Sequence, residues 1–106
     1  MSLPDLDPEQ RRAALEKATD ARRQRAEVKQ QLKAGDITLA AVLDAAADSE
    51  VLAKMRVSDV VAAMPAMGPI TAERLMAELR IARSRRLRGL GPRQRAALLD
   101  AFAQRS

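Results

Sequence analysis

The sequence predicts an all-α protein in which a long N-terminal helix packs on a small helical body, and three observations carry that prediction. No stretch alternates apolar and polar residues as a strand does, whereas apolar residues recur three and four apart in one segment after another. Helix-starting residues (Asp7, Thr38, Ser49, Ser58, Thr71) stand just ahead of those segments, and Gly35 and Pro65 close two of them. Large hydrophobic residues are also placed unevenly: 22 of the 50 hydrophobic residues are alanine, and only six of the other 28 precede residue 35. Residues 1–35 therefore read as a helical arm without a core of its own, and residues 36–106 as the compact body.

The arm comes first. From Pro8 to Ala34 the chain is rich in Ala, Arg, Glu, Lys and Gln, which favour helix, and it has no Gly or Pro after its start. Asp7 caps it, Pro8 takes the first helical position and Gly35 stops it. Its charges sort by face. Arg11, Arg22, Lys29 and Lys33 line one stripe, Glu9, Glu16, Asp20 and Glu27 another, and Ala14, Ala18, Ala21, Val28 and Leu32 a thin apolar strip between them. Pairs such as Arg12 with Glu16 and Arg23 with Glu27 solubilise it. The weak apolar strip is expected to rest on the body, so that the arm offers Arg11, Arg22, Lys29 and Lys33 to phosphate.

The body reads as short helices. Thr38 caps one carrying Leu39, Val42, Leu43 and Ala46, and Ser49 caps a single turn with Val51, Leu52 and Met55. Ser58 caps a helix that buries Val60, Val61 and Met64 and stops at Pro65, and Thr71 opens the next, with Ala72, Leu75, Met76 and Leu79 on one face. Two apolar helices joined so tightly should pack on each other. The stretch VSDVVAAMPAMGPITAERLMAELRI resembles a helix-hairpin-helix motif. The resemblance implies that backbone amides at Gly68, Ile70 and Thr71 face the phosphates of one nucleic-acid strand, as free amides at a helix N-terminus suit. The familiar hairpin has glycine on both sides of an apolar residue, whereas here Ala66 and Gly68 flank Met67, and Pro69 removes one donor. Pro65 and Met67, expected at the exposed tip, are candidates for a wedge at a base step.

Charge is concentrated at the other end. The formal net charge is +5, but residues 80–106 alone carry +7, with seven arginines between Arg80 and Arg95 and no acid among them. A local excess of this kind points to a polyanion. Pro92 starts a last helix whose apolar face is Leu98, Leu99 and Phe102, so Gly89, Leu90 and Gly91 form a second glycine turn feeding a helix, surrounded by Arg85, Arg86, Arg88 and Arg93. Backbone amides and guanidinium forks would hold a phosphate there together. Arg95 differs, because its spacing puts it on the apolar face, where a carbonyl or an acid should bind it.

Other chemistries find little support. The chain has no histidine and no cysteine, which removes the commonest general base, the commonest metal ligand and all thiol chemistry. Asp44, Asp48 and Glu50 have no metal-ligand spacing, so neither a metal, a cofactor nor an enzyme is expected. The acidic opening MSLPDLDPEQ is unlike a secretory signal and no apolar run approaches a membrane span, so the expected location is cytoplasmic. Phe102 is the single aromatic residue, which leaves no stacking platform for single strands. Arginine outnumbers lysine fifteen to four, as phosphate forks and a narrow minor groove favour, although coding bias accounts for that ratio equally well.

Taken with RRLRGLGPRQRAALLDAF, the arm LDPEQRRAALEKATDARRQRAEVKQQLKAG and the core DSEVLAKMRVSDVVAAMPAMGPITAERLMAEL make the chain similar to the actinobacterial integration host factor family over nearly its full length. The resemblance implies a nucleoid-associated protein with a helix-two-turns-helix type body. Such a protein binds duplex DNA with little sequence preference, bends or compacts it, affects supercoiling and assists phage integration, with integrase or topoisomerase as indirect partners. A monomer is expected, because the body has no spare apolar face. The alternative is a structured-RNA or ribosome-associated protein, since related helical hairpins occur on ribosomes.

Overall fold

In a computed structural model the chain is described from Asp7 to Arg105. The segment MSLPDL, with Met1, Leu3 and Leu6, lies outside the described residues, as does Ser106. The all-α expectation holds. Among the described residues six helices follow one another: α1 Pro8–Ala34, α2 Leu39–Ala46, α3 Glu50–Ala53, α4 Val57–Ala62, α5 Pro69–Glu78 and α6 Pro92–Arg105, with a 3₁₀ turn at Leu87–Gly89 ahead of the last.

α1 begins as its sequence dictates. The Asp7 carboxylate accepts from the Gln10 amide at 2.7 Å, and the Gln10 side-chain oxygen accepts from the Asp7 amide at 3.1 Å, a reciprocal capping box with Pro8 just inside it. It ends at Gly35, whose φ of 78° is the left-handed conformation that lets the chain turn away. Only the end of α1 enters the core: Leu32 is fully buried, Val28 and Ala21 are half-buried, and Ala14 and Ala18 stay exposed along a cleft against α3. Arg23, expected opposite Glu27, instead lies 3.7 Å from Asp20.

The core is formed by Leu32 with Val42, Val57, Val60, Val61, Met76 and Leu98, each under 2% exposed, and by Leu39, Leu43, Leu52, Met55, Leu75, Ile81 and Leu87 around them. α4 and α5 pack on each other as the hairpin sequence predicts. Their starts differ from expectation. α4 begins at Val57 with Arg56 before it, because the Val57 amide is held by the Arg85 carbonyl at 2.9 Å, so Ser58 lies inside the helix and its hydroxyl donates to the Arg83 carbonyl at 3.5 Å. α5 begins at Pro69 with Gly68 as cap, since proline suits the first helical position and loses no bond there, which makes Thr71 its third residue. α4 also stops at Ala62, short of Pro65, and leaves Met64 half-buried in the connection. Leu99 and Phe102 are half-buried against the core, so Leu98 alone anchors α6 completely.

Candidate nucleic-acid interface

The arginine turn is built on a small backbone stitch. The Val57 amide donates to the Arg85 carbonyl and the Leu87 amide to the Met55 carbonyl, both at 2.9 Å, which makes an isolated antiparallel bridge between Arg56 and Arg86. Leu87 is buried beneath the turn, so its neighbours in sequence are lifted into solvent. Side chains complete the fastening: Arg86 Nη1 donates to the Lys54 carbonyl, and Arg85 Nη1 donates to the Gly89 carbonyl at 3.0 Å. Arg85, Arg86, Arg88 and Gly89, with Ala82 and Ser84, line an open hollow of about 350 Å³.

Two of the seven arginines balance acids. Arg83 lies 3.0 Å from Glu73, and Arg95 donates to Asp44 at 2.6 Å, the acid partner its position on the apolar face calls for. Among the described residues no carboxylate lies within ion-pair distance of Arg85, Arg86, Arg88 or Arg93. The four guanidinium groups thus leave a local excess of positive charge, of the kind that attracts an external anion.

The backbone amides behave differently from expectation at this turn. Gly89 donates to the Arg86 carbonyl at 2.9 Å, Leu90 to the Leu87 carbonyl at 3.2 Å, and Gly91 to the Gln94 side chain at 3.0 Å. Leu90 is also half-buried against the core. The three amides therefore hold the turn in shape, and the donors that remain to an anion are the guanidinium groups and the first amides of α6 beside the exposed Arg93.

The first hairpin lies at the opposite end of the α4–α5 pair. Its left-handed residue is Ala66, with φ 60°, whereas Gly68 is in ordinary extended geometry (φ −138°), and a β-carbon added there meets nothing within 4 Å. Gly68 is thus not needed for the turn. Gly68 offers no side-chain cap, so the first amides of α5, at Ile70 and Thr71, remain open. Ile70 is 69% exposed. Met67 departs from the expected tip position: it is half-buried and packs on the core, because the Ala66 turn folds it inward, while Pro65 stays exposed.

The basic stripe of α1 divides. Lys29 and Lys33 border a hollow with Asp59, Ala62 and Ala63, next to the first hairpin. Arg22 lies farther up the helix, where its Nη2 donates to the Thr19 hydroxyl at 3.4 Å. A set of cations that the stripe omits stands at the other flank: Lys17 and Arg25 of α1 and Lys54 just after α3 rim the alanine-floored cleft between the two helices. Lys54 lies 2.8 Å from Glu50. That hydrogen bond, the Lys54 charge, and then those of Lys17 and Arg88 hold the Glu50 carboxyl below the usual carboxylate range. A stripe read along one helix cannot reveal such a cluster, since Lys54 joins it through the fold.

Residues 32–102 match the S13-like H2TH domain family. The integration host factor of Mycolicibacterium smegmatis is 56% identical over 104 residues, 98% of this chain and 99% of that protein. The integration host factor of Streptomyces coelicolor is 48% identical over 102 residues, covering 96% of this chain and 95% of that one. The solved structure of sIHF bound to an 8-bp palindromic DNA superposes with a TM-score of 0.80 at 42% identity, over 82% of this chain and 98% of that chain.

Proposed function

Since the chain belongs to the actinobacterial integration host factor family, we propose that it is a non-catalytic architectural protein that grips duplex DNA by its phosphates and bends or compacts it. One observation carries the reading: Arg85, Arg86 and Arg88, on a turn that its own backbone bonds fix, and Arg93, at the start of the helix after it, have no carboxylate within ion-pair distance among the described residues. Guanidinium forks on a preformed turn bind phosphate at small ordering cost. The open amides of Ile70 and Thr71 supply a second grip on the same backbone, and Lys29 and Lys33 beside them a third. Lys17, Arg25 and Lys54 extend the positive surface from the arginine turn along α1. None of these groups is arranged as a bidentate reader of base edges, so position and affinity come with little sequence discrimination.

The chain acts as a monomer on this reading, in the cytoplasm and on the nucleoid. Among the described residues no helix is long and apolar enough to cross a membrane. Contacts with integrase or topoisomerase run through the DNA that all of them share. The deciding experiment is fluorescence anisotropy on one AT-rich and one GC-rich duplex of equal length, titrated over salt. A log–log slope of roughly −4 to −8, alike for both duplexes, is expected from several phosphate contacts. A shallow slope, or structured RNA displacing duplex by a wide margin, overturns the reading in favour of an RNA-binding role.

A further inference from the structure

Between Met64 and Ala72 the chain carries no charged side chain, although 31% of all its residues are charged. Around the left-handed turn at Ala66, Pro65, Ala66 and Pro69 are exposed and Met67 folds back onto the core. Ile70, the second residue of α5, stands out from this uncharged tip at 69% exposure. Leu15, on α1, is the other large hydrophobic residue so exposed among the described residues. Branching at Cβ restricts χ1, which leaves Ile70 a stiffer projection than a side chain unbranched there.

We propose that Ile70 is a wedge: from the tip of the α4–α5 hairpin it enters a base step of the bound duplex from the minor groove and props that step open. The proposal rests on the duplex reading and adds to it the residue that makes binding bend the DNA. Apolar side chains used this way unstack a step and kink the duplex toward the major groove. Placement favours the role. The arginine turn is bonded to the start of α4 and to the chain beyond α5, whereas Ile70 lies at the other end of the pair. α5 spans about 15 Å at 1.5 Å per residue, or roughly four base-pair steps at 3.4 Å each. One end can thus hold a backbone while the other opens a step a few pairs away. A second copy of the chain is a poorer occupant, because a stable protein interface takes about 800 Å² from each partner, and the exposed charges of Glu73 and Arg74 follow Ile70 within one turn.

The test uses the full chain with Ile70→Ala, Ile70→Ser and Ile70→Leu, surface changes whose folding is checked by circular dichroism. The probe is a duplex of about 20 base pairs containing TA steps, which unstack easily, with dyes at its ends and 2-aminopurine at those steps. The natural chain and Ile70→Leu should raise both the end-to-end transfer and the 2-aminopurine emission. Ile70→Ala and Ile70→Ser should lose both while keeping the salt slope of binding. Equal bending by Ile70→Ala, or a natural chain that binds without bending, overturns the wedge and leaves phosphate binding intact. Loss of self-association in Ile70→Ala with bending unchanged overturns it in favour of a second copy as occupant. A natural chain that fails to bind the duplex overturns the duplex reading, and the wedge with it.

Discussion

Arg95 of α6 and Asp44 of α2 meet at 2.6 Å, a charged hydrogen bond that joins parts of the chain 51 residues apart. Arg95 is little more than one-third exposed and Asp44 well over half, so water screens the pair. Arg95→Ala should lower stability by about 1 kcal/mol or less, part of it from the lost packing of its aliphatic stem. Urea unfolding at low and high salt checks this, and the difference should narrow as salt rises. Duplex affinity should change far less than for Arg88→Ala, because Arg95 already has its anion.

Leu98 is the fully buried contact by which α6 holds to the core. Leu98→Ala should cost about 2–5 kcal/mol, a large fraction of the stability of a domain of this size. Thermal unfolding measures the loss. Since α6 supplies Arg93 and closes the arginine turn, the remaining folded fraction should also bind duplex more weakly.

Ala66 and Gly68 have exchanged the duties that their residue types suggest. Alanine at φ 60° is strained by about 1–2 kcal/mol, so Ala66→Gly should stabilise the protein, by a net amount of about 1 kcal/mol or less once the extra freedom of unfolded glycine is counted. Gly68→Ala should leave folding unharmed, because a β-carbon there meets open space. Duplex affinity should nonetheless fall if that space is where the phosphate backbone comes close. Melting curves and anisotropy on the same two variants separate the effects, and an unchanged affinity for Gly68→Ala would remove the first hairpin from the interface.

Local signals made the fold legible, and long-range ones made parts of the site illegible. Asp7, Pro8, Thr38 and Gly35 each act within four residues of themselves, so the starts of α1 and α2 and the end of α1 follow from spacing. The start of α4 did not follow, because a carbonyl 28 residues away holds its first amide. The arginine cluster was legible as charge without acid. Its division was legible only for Arg95, which sits in an apolar pattern, whereas the pairing of Arg83 with Glu73 depends on how α5 lies. The expected amide cradle at Gly89, Leu90 and Gly91 failed for a related reason: sequence shows that donors exist and not that nearby acceptors already take them.

Removing single cations should distinguish the grips. Arg88→Ala and Arg93→Ala should each weaken all duplexes alike, by roughly five- to tenfold at moderate salt, and flatten the salt slope by about 0.9. Lys17→Ala and Lys54→Ala should do so more mildly, and only on duplexes long enough to run from the arginine turn along α1. Arg22→Ala, far from the turn and engaged with Thr19, should have the least effect. A loss confined to one sequence would replace backbone binding with base readout.

Glu50 reports on the same surface from within. Its carboxyl is held below the ordinary range by the hydrogen bond and charge of Lys54, with Lys17 and Arg88 adding to them. A depressed folded-state pKa favours the carboxylate. The stabilisation it brings is therefore present above the unfolded glutamate pKa near 4.3 and is lost as pH falls through the folded value. NMR titration of the Glu50 side chain should give a midpoint below that of free glutamate, which Lys54→Ala raises most, Lys17→Ala less and Arg88→Ala least. On the proposed phosphate grip, duplex binding sets phosphates against those same cations in competition with Glu50, so in the complex the midpoint should move upward. By the same competition Glu50→Gln should tighten duplex binding by a factor of about two to four at low salt and by less as salt screens it. A Glu50 midpoint that ignores added duplex would place the DNA away from Lys17, Lys54 and Arg88 and confine the interface to the hairpin and the remaining arginines.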